Sequence, residues 1–159
     1  MKPLKNAYEN LPGFNCFCCS RKNPAGLRME FFEDGSDIVC IWRAKPEFQG
    51  FPNRLHGGIQ STLLDETACW AVFLKQGTAG FTAKLDVRFR HTVSIDQDLT
   101  IRARIKETRR NLVMIETTLS DGSGRICTEA EATYFTFSPD QAEKHMAYPG
   151  SEAFTQSDD

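Results

Sequence analysis

The residues best placed to do chemistry lie in one run: His56-Gly57-Gly58, then Asp65 and Glu66, with Asp65 eight residues after the first glycine. Two glycines at a helix start let a ligand approach the backbone closely, because no Cβ stands in the way. The amides of such a first turn have no intrahelical acceptor, and the helix dipole adds partial positive charge. A terminus of this kind suits an anion or a developing oxyanion, and it equally suits an ordinary loop-to-helix junction. Asp65 and Glu66 interrupt an otherwise apolar helix, where acidic side chains are rare without a partner. Adjacent helical positions diverge by about 100°, so the two do not easily serve one site. Asp65 is read as a candidate acid or base, and Glu66 as the partner of an arginine or a cap for a neighbouring loop. Eight residues of helix rise about 12 Å, too far for one small reacting group to touch both Gly57 and Asp65 of one chain. Two such helices running antiparallel across a twofold axis would bring Gly57 of one subunit near Asp65 of the other. Joint use of both residues therefore requires a homodimer with two equivalent sites.

A helix must carry these groups. From about residue 58 to 75, Ile59, Leu63, Leu64, Ala68, Trp70, Ala71, Val72, Phe73 and Leu74 surround most of its circumference, which predicts a buried central helix ended by Gly77 and Gly80. Upstream, alternations at Leu27, Met29, Phe31 and at Ile38, Cys40, Trp42 flank Asp34-Gly35, the pattern of a β-hairpin. Residues 45–55 carry Pro46, Gly50 and Pro52 without periodicity, and a loop of that length is more often functional than idle. After the helix the period becomes two, predicting strands over about 81–90, 99–106, 112–119 and 125–137. Turns fall at Arg109-Arg110-Asn111 and Asp121-Gly122-Ser123-Gly124, and the short spacing predicts antiparallel meander pairing. Two strands, one helix and four strands make an α+β domain in which an antiparallel sheet wraps one long central helix. The chain divides into an irregular lead-in (1–26), this domain (27–137) and a polar tail (138–159). In the tail Ser138-Pro139-Asp140-Gln141 resembles a capping box opening a short helix, and the residues from Pro149 onward are expected to fray.

Composition narrows the function classes. The 159 residues hold 19 basic and 21 acidic side chains, a net charge of −2 with no basic excess for a nucleic-acid footprint. The longest apolar run, 68–74, is far short of the roughly 20 residues a membrane span needs, and the amino-terminal stretch has no apolar core of a signal peptide. The expectation is a cytoplasmic protein with no nucleic-acid or membrane partner. Six cysteines are expected to stay reduced there. Cys16-Phe17-Cys18-Cys19 contains a C-x-x-C spacing, but no second pair follows to complete a zinc site, so no metal is expected. His91 and His145 have no catalytic setting, and neither a G-x-S-x-G elbow nor a Walker pattern is present.

Together, the H-G-G at a central helix start, the acid eight residues on and the β-β-helix-β-β-β-β order resemble the hotdog-fold acyl-CoA thioesterases. The nearest subgroup is the phenylacetate-pathway, PaaI-like type. The lead-in Cys16-Phe17-x-Cys19-x₃-Asn23-Pro24-x-Gly26-Leu27, Gly50-Phe51-Pro52, and Thr82-Ala83-x-Leu85-x-Val87-x-Phe89-Arg90 agree with that family, and the resemblance spans about residues 16–137. It implies a hotdog fold and hydrolysis of an acyl-CoA thioester to a free acid and coenzyme A, at a site across a homodimer interface. It implies no cofactor beyond the coenzyme A of the substrate, and a dimer or a dimer of dimers. Gly57 would donate its backbone N–H to the thioester carbonyl, and His56 would shape that pocket. Asp65 of the partner subunit would act as general base on water or as a nucleophile forming an anhydride. Thr82 would orient the attacking water, and Gly58, Asn53, Gln49 and Arg90 would bind substrate.

Three features depart from the family pattern. The amide some members carry six or seven residues before the histidine falls on Gly50 and Gln49, and the usual proline after the Phe89-Arg90 strand is Thr92. Thr82 also shares strand parity with the polar Lys84 and Arg88, so it faces the site only if the start of its strand lies at the dimer seam. Arg88, Arg90, Arg109 and Arg110 suit coenzyme A phosphates or solvated edges and turns. Phe48, Phe51, Trp70 and Phe73 suit an acyl pocket or the core. Two other readings stay open: a non-catalytic acyl-CoA-binding or ligand-sensing hotdog domain, and an acyl-CoA hydratase or dehydratase.

Overall fold

In the computed structural model, which describes residues 1–156, the expected helix forms as α1 (Gly57–Ala71) and continues as a π-helical turn over Val72–Gln76. Gly77, at φ +66°, stops it in the left-handed region that glycine enters without strain. Leu63, Leu64, Thr67, Ala68, Trp70 and Ala71 are buried on α1. The strands are β1 (Lys2–Pro3), β2 (Phe31–Asp34), β3 (Asp37–Arg43), β4 (Gly80–Phe89), β5 (Asp98–Arg109), β6 (Leu112–Ser120) and β7 (Ile126–Thr136). All pair antiparallel in a single seven-stranded sheet of order β1-β2-β3-β5-β6-β7-β4. Its inner face, including Ile38, Cys40, Leu99, Ile101, Ile115, Ala132 and Tyr134, joins the helix in one apolar core.

The pairing departs from the expected meander in one strand. β5, β6 and β7 follow one another, but β4 lies beyond β7 at the sheet edge. The cause is the connection over residues 90–97, which is hydrogen-bonded to the loop before the helix: the Leu55 N–H donates to Val93 O and the Asp96 N–H to Ala44 O, each at 2.9 Å. That path carries β5 to the side of β3 and leaves β4 with one neighbour. The expected strand start at Leu27 and Met29 is also displaced. Their N–H groups donate at 2.8 Å to Phe17 O and Cys18 O, so this stretch pairs with the cysteine loop instead of extending β2.

The tail forms α2 (Pro139–Met146), whose Gln141 N–H donates to Ser138 Oγ at 3.4 Å. Beyond it the expected fraying is corrected for residues 149–156, and residues 157–159 lie outside the described residues. A 3₁₀ turn over Ser151–Phe154 buries Phe154 completely, with its ring 5.4 Å from Trp70 and 5.2 Å from Phe73, and the Lys5 N–H donates to Phe154 O at 2.9 Å. One aromatic side chain in a polar stretch gives no periodic signal, yet it anchors both chain ends. Among the described residues no helix is long and apolar enough to cross a membrane.

Candidate active site

Asp65 sits on the flank of α1 that faces β4 and β7. Its Oδ1 accepts two hydrogen bonds, from Thr82 Oγ1 and from the Tyr134 hydroxyl, both at 2.8 Å, and Tyr134 also reaches the Asp65 carbonyl at 2.9 Å. Thr82 and Tyr134 are cross-strand neighbours in β4 and β7. The parity that set Thr82 with the outward-facing polar residues is broken by a β-bulge between Thr82 and Lys84. Such a bulge adds one residue to one strand and shifts its alternation. Thr82 therefore shares the helix side of β4 with Leu85, Val87 and Phe89, which lie opposite Ala132, Ala130 and Thr128. Tyr134 is 2% exposed, and burial, followed by Cys69 and Asp65, pushes its phenol well above the ordinary range, so it is a standing hydroxyl donor to the carboxylate. Asp65 itself is half-buried and Thr82 exposed, so solvent or a ligand reaches this carboxylate.

At the other end of α1, His56 is the N-cap: its Nδ1 accepts the Gly58 N–H at 2.8 Å, and its carbonyl accepts the Gln60 N–H at 3.0 Å. The histidine thus consumes the donor of Gly58, one of the expected substrate contacts. The Gly57 N–H finds no acceptor among the described residues. A Cβ on Gly57 would lie 3.4 Å from the Phe89 ring. This end borders a shallow cleft lined by Phe51, Leu55, Gln60, Phe89, Arg90 and Val93. Gln60 is buried, donating to Leu55 O at 3.1 Å and accepting from Thr128 Oγ1 at 2.5 Å, which locks the helix start onto β7. Gln60 and Tyr134 are the two residues that sequence reasoning missed. Each is a polar side chain on an otherwise apolar inner face, and that was the signal available.

The remaining expected residues divide. Gln49 Oε1 accepts the Asn53 N–H at 3.2 Å, and Asn53 sits at φ +60°, so both shape the loop before the helix. Arg90 lines the cleft but is ion-paired to Glu129 at 2.7 Å. Arg109 pairs with Glu107, and Arg110 occupies the β5–β6 turn at φ +54°. Trp70 stacks on Phe31 at 4.2 Å and Phe73 packs against Phe154, so both belong to the core, while Phe48 leans on Trp42 at 5.6 Å. Phe51 alone of the four lines the cleft, 80% exposed. Glu66 pairs with no arginine among the described residues. It points toward the lead-in, where its Oε1 lies 3.9 Å from Cys16 Sγ, and it accepts from Trp70 Nε1 of its own helix at 3.2 Å.

An antiparallel sheet wrapped around one long helix, with a capped Gly-rich helix start and an acid two turns on, defines a hotdog-fold protein. Residues 53–128, just under half of the chain, match the family model described as Thioesterase superfamily. It is similar to the acyl-coenzyme A thioesterase THEM4 of Bos taurus, 26% identical over 137 residues that cover 84% of this chain and 56% of that protein. Among solved structures it is similar to a hypothetical thioesterase of Streptococcus pneumoniae TIGR4 with coenzyme A, at 20% identity, covering 70% of this chain and 90% of that one with a TM-score of 0.65. It is similar too to the E. coli PaaI protein from the phenylacetic acid degradation operon, at 13% identity, covering 71% and 82% with a TM-score of 0.65. At those identities the two structures share its fold. The curated relatives, among them a mitochondrial protein of Candida albicans 36% identical over 85 residues, are longer, and the chain spans 30% to 56% of their length.

Proposed function

We propose that this chain is an acyl-CoA thioesterase that works as a homodimer, hydrolysing an acyl-CoA to a free acid and coenzyme A. The observation that carries the reading is the Asp65 carboxylate, aimed by Thr82 and Tyr134 while still open to solvent. About 12 Å of helix separates it from the Gly57 N–H, so a twofold arrangement is what lets one thioester meet both. β4 is the fitting seam. It is an edge strand with one partner, largely exposed, and it presents Phe81 and Phe89 at 50% and 53% exposure. An unpaired edge of this kind is a template for a second strand.

In such a dimer the Gly57 N–H polarises the thioester carbonyl. Water held between Thr82 Oγ1 and Asp65 of the partner subunit loses its proton to the carboxylate as its oxygen bonds to the carbonyl carbon. The carbon–sulfur bond then breaks, and the coenzyme A thiolate takes the proton back. In the covalent alternative the carboxylate itself attacks, expels the thiolate and leaves an anhydride that water hydrolyses. Either route consumes one water and yields acid and thiol. The acyl-CoA class is supported by the bovine relative's name and by the coenzyme A of the streptococcal structure. The cleft beside Gly57, with Phe51 and Phe89, is the acyl site of this reading. The cytoplasmic setting is carried forward with cell fractionation as its check, because the Candida relative is named for the mitochondrion.

The test is free-thiol release from aryl-, short- and long-chain acyl-CoAs by wild type and Asp65→Asn. The reading expects equal acid and thiol, and a loss of about 10²–10⁴-fold in the variant. Binding of every acyl-CoA without turnover would replace the enzyme with a ligand-sensing domain, and turnover indifferent to Asp65 would remove the site.

A further inference from the structure

The cysteine-rich lead-in and Glu66 lie outside the chemistry above, yet the fold brings them together. Donor atoms of Cys16, Cys19 and Glu66 all lie within 4.8 Å of one another. The nearest pair given by geometry is Cys16 Sγ with Glu66 Oε1, at 3.9 Å. Sulfurs bound at about 2.3 Å around a tetrahedral zinc stand roughly 3.8 Å apart, so small side-chain rotations suffice to close the cluster on an ion. Cys18 stands between the two cysteines of the cluster, and rotation of its side chain would bring a fourth donor to it.

The surroundings prepare these groups as ligands. Cys16 Sγ accepts the Cys18 N–H at 3.3 Å, a backbone donor that fixes the sulfur within 3.9 Å of Glu66 Oε1. The Trp70 indole N–H fixes the Glu66 carboxylate from behind, as outer-shell donors fix metal ligands. No arginine or lysine pairs with Glu66 among the described residues, and its hydrogen-bond partners are Trp70 and Cys16. The loop has a fixed backbone as well, with the Ser20 N–H on Cys16 O at 3.2 Å and the Met29 N–H on Cys18 O at 2.8 Å.

We propose that Cys16, Cys19 and Glu66, with Cys18 turning in as the fourth ligand, form a structural zinc site that fastens the lead-in to the central helix, one position from Asp65. The donor set, thiolates with one carboxylate in a closed cluster, is that of a borderline-soft ion with tetrahedral preference. The sequence concealed the site because the C-x-x-C is completed by a residue about fifty positions away, in place of a second C-x-x-C.

The test is made on the full chain, expressed with added zinc and purified under reducing conditions without chelator. Metal content by mass spectrometry is expected at about one zinc per chain, and replacement by cobalt(II) is expected to give thiolate charge-transfer and tetrahedral absorption bands in the otherwise native protein. Glu66→Gln and the pair Cys16→Ser/Cys19→Ser are expected to lose at least about tenfold in zinc affinity, while Cys127→Ser keeps it. Metal-free protein with six reactive thiols and no cobalt bands would overturn the proposal. So would a Cys16–Cys19 disulfide in place of bound metal, or zinc retained unchanged in the double variant.

Discussion

Replacing Gly57 by proline isolates a single hydrogen-bond donor. Gly57 is the first residue of α1, where proline is favoured because its missing N–H would be orphaned anyway. His56 before it has φ −62° and ψ 135°, the extended conformation a residue preceding proline requires. The Cβ of the new ring would meet the Phe89 ring at 3.4 Å, a contact and not a clash with backbone. Stability should therefore stay within about 1 kcal/mol of wild type, since proline also restricts the unfolded chain. If the Gly57 N–H stabilises the oxyanion, its deletion should cost about 2.7–4 kcal/mol of transition-state binding, or about 10²–10³-fold in kcat. The assay is steady-state thiol release beside a thermal melt, with Gly57→Ala as the companion because it adds the Cβ toward Phe89 and keeps the N–H. The expected pattern is an unchanged melt, a collapsed kcat for proline and a largely preserved one for alanine. Equal losses in both variants would assign the effect to bulk, and a proline variant with wild-type kcat would refute the oxyanion role.

Three further outcomes follow from the same geometry. Tyr134→Phe removes one donor from the Asp65 carboxylate, a bond of about 1.5–3 kcal/mol to a charged group, and should lower kcat about 10–100-fold with KM little changed; an unchanged kcat would show that Tyr134 does not aim the acid. Asp37 is buried against Arg104 and Arg102, whose bonds hold its carboxyl down at about 2, below its ordinary 3.8, so its stabilisation is present above about pH 4 and lost as pH falls through about 2. Wild type should lose about 2 kcal/mol more than Asp37→Asn between pH 5 and 2 in denaturant titrations, and parallel pH curves would contradict this. Phe154→Ala should cost about 3–5 kcal/mol of unfolding free energy, whereas a truly frayed tail would make it neutral.

The central helix is legible because its apolar residues circle it, and the candidate site draws attention because glycines and acids are conspicuous there. What stayed hidden depended on single local events. The bulge after Thr82 reverses strand parity, and alternation counted along β4 cannot register an inserted residue. Tyr134 and Gln60 read as members of a strand and a helix, and only their pairing with Asp65 and Thr128 gives them roles. β4 lies at the sheet edge because of the bonds of the 90–97 connection, which has no periodicity to read. Glu66 is expected to pair with an arginine or cap a loop, and its partners are instead Trp70 and Cys16, the latter far upstream in an irregular segment.

Mixed dimers test the shared site most directly. Differently tagged Asp65→Asn and Gly57→Pro subunits, each inactive as its own homodimer, are co-expressed and the heterodimer isolated through both tags. Each heterodimer then carries one site with both defects and one site with neither. The account predicts thiol release restored to about half the wild-type rate, one intact site in two. A heterodimer as inactive as its parents would contradict the pairing of Gly57 with Asp65 of the partner subunit.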